Sequence, residues 1–367
     1  MAEKDLGYRR VQCTGRGSYI ISLPKDWVQD LDLERGSEIA FNVEPDSTLL
    51  LVPRKIQEKE GRGNAAKPKE YYISIDPKET IQSTIRMIKA LYAIGADIIR
   101  VHIKNPQDAV KYKNEIKTLA RDSFLGSEII DETPDEITLQ ILIKHSEFSI
   151  EKAVRRMAIV ALAANRDAIA ALKDRNTALF DSVISARNDV SRLGLYIVRQ
   201  LKYGIERNLY RELGFRTPKE FLLYRVAVND IESIAQNAMN IINNLGSLQK
   251  LIDDETLFLK DPIDEEIYNQ LVNFSLLAQQ SYDDAIKALF KREYKDAEKL
   301  ISKRESFTPL ENELIMLMSS KKLDPNIASV LRLIFDSSRR IMDYSRSMAE
   351  LTLNRTVEEQ CSTLAYK

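Results

Sequence analysis

The side chains best suited to bind a ligand are basic and lie close to the N-terminus. They are Arg9, Arg10, Arg16 and Lys25, accompanied by the hydroxyl of Ser18. Guanidinium and ammonium groups bind phosphate oxygens, including those of nucleic acids. The first 25 residues carry five basic and two acidic side chains, a net charge of +3, whereas the next 25 carry a net charge of −6. Because the whole chain has a net charge of −1, any affinity for nucleic acid must come from the first segment.

Two glycines in this segment, Gly15 and Gly17, raise the alternative of a nucleotide-binding loop. Such a loop needs several backbone N–H groups that converge at the start of a helix. Here the glycine pair has no third glycine and is followed by the strand-like run YIISLP. The pattern therefore favours a turn between two strands.

Several classes of function are disfavoured by composition. Two histidines, His102 and His145, and two distant cysteines, Cys13 and Cys361, leave little material for a metal site, a disulfide framework or histidine-based catalysis. Neither an apolar signal core nor an apolar run of roughly 18 residues is present, so no membrane insertion is expected. These observations predict a cytoplasmic protein that is not an enzyme and needs no cofactor.

Periodicity divides the 367 residues into segments. Residues 1–53 contain four short strand-like runs and one short helix, and residues 54–69 are a basic linker without apolar periodicity. Residues 70–145 alternate in the order β-α-β-α-β-β, with a hairpin at Thr133-Pro134, which predicts a small α+β module.

The remainder of the chain has helical spacing throughout. Three long amphipathic segments fill residues 146–246, and three more fill residues 262–355, the middle one being residues 295–320. Long helices with short connections pack as antiparallel bundles. The fold class expected is therefore multidomain: a small all-β barrel, an α+β module and two three-helix bundles.

A set of motif residues in the first segment resembles the AbrB/SpoVT/MazE family of swapped-hairpin DNA-binding domains. The residues that carry the resemblance are Gly17, Ser18, Leu23, Pro24, Lys25, Trp27, Leu33 and Gly36. The resemblance implies that two chains exchange β-hairpins to complete one barrel, which makes the protein a homodimer with DNA as its partner. It also assigns the contacts with DNA to the basic residues and Ser18 named above. A core of about 45 residues is marginal alone, so pairing of two chains suits this length.

The helical region resembles the archaeal PhoU-like regulators, which join an AbrB-type N-terminus to two three-helix bundles. Segments such as RLGLYIVRQL and VNDIESIAQNAMNI carry this resemblance. It implies negative regulation of phosphate uptake, exerted on a transporter or a signalling kinase. It also implies metal clusters held by Glu/Asp-x-x-x-Asp motifs, because carboxylates four residues apart share one helix face.

The metal motifs are degenerate in this chain. The four corresponding positions are Arg187 with Ser191, Glu232 with Gln236, Glu305 followed by Thr308-Pro309, and Arg339 with Asp343. These residues offer few carboxylates, and only Glu232 and Asp343 stand at family ligand positions with Glu305 nearby. We therefore predict that the metal cluster is absent or weakened. Arg339 is instead expected to form a helix ion pair with Asp343 or Asp336.

The sequence therefore predicts a homodimeric DNA-binding transcriptional regulator linked to phosphate uptake or homeostasis. The alternative is an adaptor that does not bind DNA, docks on a phosphate transporter or sensor kinase through its bundles, and dimerises through its N-terminal domain. No residue pattern in the sequence indicates a phosphate pocket.

Overall fold

The chain divides into two units, Met1–Pro68 and Lys69–Lys367, which are described separately below. The computed structural model describes residues 7–15, 17–43, 47–55, 68–76, 79–143, 149–253 and 263–361. Most of the predicted basic linker, together with Arg16 and His145, lies outside the described residues.

The first unit consists of two antiparallel hairpins and one short helix. Strand β1 (Gln12–Thr14) pairs with β2 (Ser18–Ile20), and β3 (Ile39–Val43) pairs with β4 (Leu49–Pro53); helix α1 spans Lys25–Asp30. The turn that joins β1 to β2 contains Gly17 at a φ of 95°, a conformation that side chains disfavour. Because a strand follows this turn, the glycines form a hairpin turn and not a nucleotide loop.

The hairpin β3–β4 has one apolar face that is only partly covered. Phe41 pairs with Leu51 and Val43 pairs with Leu49, and directly opposed residues share one face of the hairpin. Phe41 is 62% exposed, Val43 66% and Leu49 53%. Exposed apolar side chains on one face of a hairpin indicate a surface that needs a partner.

The predicted all-β barrel is not present in the described residues of a single chain. The strands form two separate two-stranded sheets, and the unit includes the helix α1. Within residues 7–55, Pro53 is the one described residue that is buried. Two-stranded hairpins are at best marginally stable alone, so four short strands cannot build a closed core without further strands.

The second unit begins with a four-stranded mixed sheet and two helices. The strand order is β5-β6-β8-β7; β5 pairs with β6 in parallel, and both β6 and β7 pair with β8 in antiparallel. The elements are β5 (Glu70–Ile75), α2 (Ile81–Ala93), β6 (Ile98–Ile103), α3 (Pro106–Ser123), β7 (Ser127–Glu132) and β8 (Glu136–Ile141). The predicted β-α-β-α-β-β order and the hairpin between β7 and β8 are confirmed.

One face of this sheet forms the core of the α+β module. Every second residue of β6 is buried, including Ile99 and Val101, and these side chains pack with Ile88 of α2 and Ile116 of α3. The parallel β5–β6 pair requires a crossover, which α2 provides.

Seven helices follow in the described residues. They are α4 (Ile150–Asp174), α5 (Phe180–Glu206), α6 (Glu220–Asp253), α7 (Glu265–Lys291), α8 (Tyr294–Glu305), α9 (Thr308–Ser320) and α10 (Pro325–Gln360). The prediction of one helix over residues 295–320 was wrong, because one helix ends at Glu305 and the next begins at Thr308. Pro309, in the first turn of α9, has no N–H to donate to a preceding carbonyl and so starts a new helix.

The two predicted bundles share one hydrophobic core. Its buried side chains come from all seven helices, for example Met157 of α4, Ile231 of α6, Tyr282 of α7 and Phe335 of α10. The second set has four helices instead of three, since α8 and α9 replace one predicted helix.

A buried arginine on α5 forms hydrogen bonds that connect the helical region to the α+β module. Arg199 on α5 is about 1% exposed; its Nη1 donates to the carbonyls of Tyr92 (3.0 Å) and Ala96 (2.6 Å), and its Nη2 donates to Asp97 Oδ1 (3.1 Å). Asp97 Oδ2 also accepts from the backbone N–H of Lys69 (2.9 Å), and the Lys69 ammonium pairs with Glu206 at the end of α5. The first residue of this unit is therefore tied to α5 through two carboxylates.

A buried carboxylate on α6 gives a test of this core. Burial raises the pKa of Asp230 to about 6, aided by the charge of Glu350 and opposed by the hydroxyl of Ser347, which donates to Asp230 Oδ2 (2.7 Å). The folded state binds this proton more tightly than the unfolded chain does. The contribution of Asp230 to the free energy of unfolding therefore falls as the pH rises from about 4 to about 6. We expect Asp230→Asn to raise the free energy of unfolding by about 1–2 kcal/mol at a pH near 7.5 and to change little near pH 4.

Urea unfolding of both proteins across this pH range measures the difference. Asp189→Asn, at an exposed position on α5, is the matched control and should leave the pH profile unchanged. A gain that is equal at both ends of the range would contradict the assignment to Asp230.

Candidate functional site

The predicted DNA-contacting residues of the first unit are all on its surface. Arg9, Arg10, Ser18 and Lys25 are exposed, whereas Arg16 lies outside the described residues. Arg9 and Arg10 precede β1, Ser18 begins β2 and Lys25 begins α1. The pairing of Gln12 with Ile20 places the two arginines at the open end of hairpin β1–β2, with Ser18 at its turn end. One chain therefore places Ser18 at the opposite end of this hairpin from Arg9 and Arg10.

The charges of this set are not neutralised within the described part of the first unit. Arg9 donates to the carbonyl of its neighbour Tyr8 (3.0 Å), and no carboxylate among the described residues pairs with Arg9, Arg10 or Lys25. Arg54, in contrast, forms an ion pair with Glu38 beside the second hairpin. Arg9, Arg10 and Lys25 therefore keep their positive charge available in the N-terminal half of the unit, where the sequence has its excess of basic residues.

Two of the four degenerate metal motifs of the second unit meet at an open pocket of about 390 Å³. Helix α5 contributes Arg187 and Ser191, α6 contributes Glu232 and Gln236, and α10 contributes Arg340. The remaining lining residues are Asn229, Ser233, Asn237, Asn240 and Tyr344. We call this site the α5–α6–α10 pocket. Residues four apart share a helix face, which explains why the motif spacing brings these side chains together.

The fourth motif is placed differently from the prediction. Asp343 is exposed and accepts from Arg304 (2.7 Å), and Arg339 pairs with Asp336 (3.6 Å), as one of the two predicted alternatives has it. Arg340, one residue further along α10, lines the pocket instead. Glu305 is exposed at the end of α8 and is not among the lining residues.

Hydrogen bonds order the polar side chains of the pocket. Arg187 Nε donates to Gln236 Oε1 (3.0 Å), and Gln236 Nε2 donates to Asn240 Oδ1 (3.1 Å). Asn237 Nδ2 donates to the Ser233 carbonyl (2.8 Å), while its Oδ1 is buried with no donor in the described residues. The pocket thus contains a fixed guanidinium and an acceptor that lacks a donor.

Glu232 is held at the wall of the pocket by a close helix approach. Gly194 on α5 faces it, and a Cβ atom at residue 194 would overlap Glu232 Oε1. Burial raises the pKa of the Glu232 carboxyl, while the charges of Arg225 and Arg187 oppose the shift. No hydrogen-bond donor contacts this carboxylate among the residues described.

The residues of this pocket do not fit a metal cluster. Glu232 is its one carboxylate, and two guanidinium groups line the same space, so a cation there would be repelled. In the described parts of the chain, no group of three or more His, Cys, Asp or Glu side chains is placed to hold a metal ion.

Sequence reasoning missed most of the pocket, although a signal was present. Helix α6 carries two polar rows at intervals of four residues, formed by Asn229, Ser233, Asn237 and by Glu232, Gln236, Asn240. A packed helix normally buries an apolar stripe, so these polar rows among the residues of a packed helix are the signal that could have indicated the pocket.

Comparisons with known proteins agree with the two resemblances. The family model described as antidote-toxin recognition MazE, bacterial antitoxin, matches residues 12–59, and the PhoU domain model matches residues 154–245. No curated protein matches the chain significantly. No helix in the described residues has the length and apolar character required to cross a membrane.

Two solved structures match part of the chain. PhoU from Pseudomonas aeruginosa is 16% identical with a TM-score of 0.49, and the phosphate transport system regulatory protein PhoU from Streptococcus pneumoniae is 14% identical with a TM-score of 0.45. Each alignment covers 58% of this chain and 96% of the other. On the evidence of the two family models, the chain carries a MazE/AbrB-type domain at its N-terminus and a PhoU domain in its helical region.

Proposed function

We propose that the protein is a homodimeric DNA-binding transcriptional regulator, acting in phosphate uptake or homeostasis, and not an enzyme. The proposal rests mainly on the first unit, which combines an exposed apolar hairpin face with basic side chains that no described carboxylate neutralises. The MazE-type match over residues 12–59 supports the same reading, and the PhoU match supports the link to phosphate. The cytoplasm remains the predicted location.

Dimerisation supplies the strands that one chain lacks. A second copy can cover the exposed face of β3–β4 and so form the core that the described residues of the first unit do not form in one chain. The same pairing doubles the number of basic groups, because the dimer carries those of both chains. Arg9, Arg10 and Lys25 from two chains give six positive charges that can contact phosphates on one duplex.

Salt-dependent DNA binding tests this proposal. Six neutralised phosphates predict a slope of about −5 for log K against log salt concentration. Arg9→Ala combined with Arg10→Ala removes four of these charges from the dimer, so we expect the slope to fall to about −2 and affinity at low salt to drop at least about tenfold. Fluorescence anisotropy with a labelled duplex measures both quantities.

The matched control is Arg35→Ala, which removes an exposed arginine from the acidic segment of the same unit. It should leave both the slope and the affinity unchanged. If the folded wild-type protein does not bind DNA even at low salt, the transporter- or kinase-docking adaptor becomes the better function. If the protein does bind DNA, genome-wide DNA occupancy tests the link to phosphate, since binding sites should lie upstream of genes for phosphate uptake.

A further inference from the structure

Two arginines line the α5–α6–α10 pocket. Neither Arg187 nor Arg340 forms an ion pair with any described residue. Arginines elsewhere in the helical region are commonly paired, as Arg304 is with Glu311 (2.8 Å) and Arg175 with Glu265 (2.7 Å). A guanidinium group presents forked donors that match the oxygens of phosphate or carboxylate, so this pocket is built to receive an anion.

The same pocket also offers an acceptor that needs a proton donor. Glu232 lines the pocket, is only partly buried, and has no hydrogen-bond donor among the described residues. A partly buried carboxylate without a donor is unfavourable. An anion without protons would satisfy the arginines but would face the charge of Glu232 and offer it no donor.

We propose that the α5–α6–α10 pocket binds a protonated oxyanion, with inorganic hydrogen phosphate as its best ligand. Its oxygens accept from Arg187 and Arg340, and its P–OH group donates to the carboxylate of Glu232. Hydrogen phosphate keeps one P–OH group at neutral pH, whereas sulfate has none. A phosphate monoester shares the oxygens but loses its second proton at a pH of about 6, so it fits less well.

Close helix packing keeps the acceptor in place. The absence of a side chain at residue 194 allows α5 and α6 to approach, and the Glu232 carboxylate occupies the space that a Cβ atom would fill. Arg187 is fixed from the other side by Gln236. Donor and acceptor are therefore pre-organised, which favours binding of a small ligand.

Isothermal titration calorimetry with inorganic phosphate is the direct test. We expect saturable binding to the full-length protein without DNA, and a loss of about tenfold or more in affinity for Arg340→Gln and for Arg187→Gln, because each removes a charge-assisted hydrogen bond. Arg339→Gln is the matched control. It removes the adjacent arginine of α10, which pairs with Asp336 outside the pocket, and should leave phosphate affinity unchanged.

A second titration tests the role of the acceptor. At a pH of about 8, where carboxylates are normally ionised, sulfate should bind at least about tenfold more weakly than phosphate. Glu232→Gln should reduce that preference, since the amide can donate to sulfate. Glycerol phosphate distinguishes a free phosphate ligand from an ester: tighter binding of the ester would identify a phosphorylated metabolite as the ligand class and overturn inorganic phosphate.

Two results would overturn the site as a whole. One is the absence of phosphate binding to the folded wild-type protein up to about 10 mM, a range that covers weak ligands. The other is an equal loss of affinity in Arg339→Gln and Arg340→Gln, which would place the ligand elsewhere. Thermal melts of each variant confirm folding. These outcomes are independent of DNA binding, because no DNA is present and all the residues belong to the second unit.

Discussion

Phe41→Asp is expected to leave the protein monomeric and to abolish detectable DNA binding. Phe41 lies within the apolar face of hairpin β3–β4, opposite Leu51, and is 62% exposed in one chain. Covering this face in a dimer would stabilise each copy by about 1.5–3 kcal/mol for this side chain. An aspartate would forfeit that gain and place a carboxylate in the interface, and two-fold symmetry repeats the penalty in the partner.

The oligomeric state can be measured by sedimentation velocity, and DNA affinity by anisotropy. We expect dimerisation to weaken by more than about 100-fold, which corresponds to about 2.7 kcal/mol. Asn42→Asp is the matched control, because it introduces the same charge one residue away, on the opposite face of β3. A wild-type monomer, or a dimer that persists in Phe41→Asp, would contradict the proposed interface.

Glu220→Ala is expected to cause the largest loss of stability in the second unit. Glu220 Oε2 accepts from Arg355 (2.6 Å), and Glu220 Oε1 accepts from the backbone N–H of Arg216 (2.7 Å). The two charged side chains are only 7% and 6% exposed. Removing one partner of a buried pair leaves the other charge without compensation, so we expect the free energy of unfolding to fall by about 3–5 kcal/mol.

Denaturant unfolding followed by circular dichroism measures this change. The control is Glu358→Ala, which breaks the neighbouring ion pair with Lys219 at the surface, where both side chains are exposed. Exposed pairs contribute about 0–1 kcal/mol, so the control should be nearly neutral. A similar loss in both variants would show that the ion pair of Glu220 is not what stabilises this end of α6 and α10.

The α+β module could be predicted from sequence because its local patterns agree with its packing. Alternation in β6 places Ile99 and Val101 on the buried face, and the turn at Thr133 joins two strands that pair as neighbours. Where local pattern and tertiary packing point to the same structure, short-range reasoning suffices. The hairpins of the first unit were predicted for the same reason, whereas the predicted barrel is not formed by the described residues of one chain.

The pocket could not be predicted to the same degree, because it depends on helix rotation. Adjacent residues on a helix point about 100° apart, so a motif aligned one residue out of register selects another face. This is why Arg339 and Asp343 were expected at the site while Arg340 and Tyr344 line it. Sequence also did not reveal Arg199, whose partners lie roughly one hundred residues earlier in the chain.

Helix α5 connects the pocket to the residue at which the second unit begins. Arg187 lines the pocket, and Arg199 lies twelve residues further on, about 18 Å along the same helix. Arg199 donates a hydrogen bond to Asp97, and Asp97 accepts another from the backbone N–H of Lys69. Glu206 at the end of α5 forms an ion pair with the ammonium of Lys69. Arg187 in the pocket, Arg199 and Glu206 therefore belong to one continuous helix, so the pocket and the contacts of Lys69 both depend on the placement of α5.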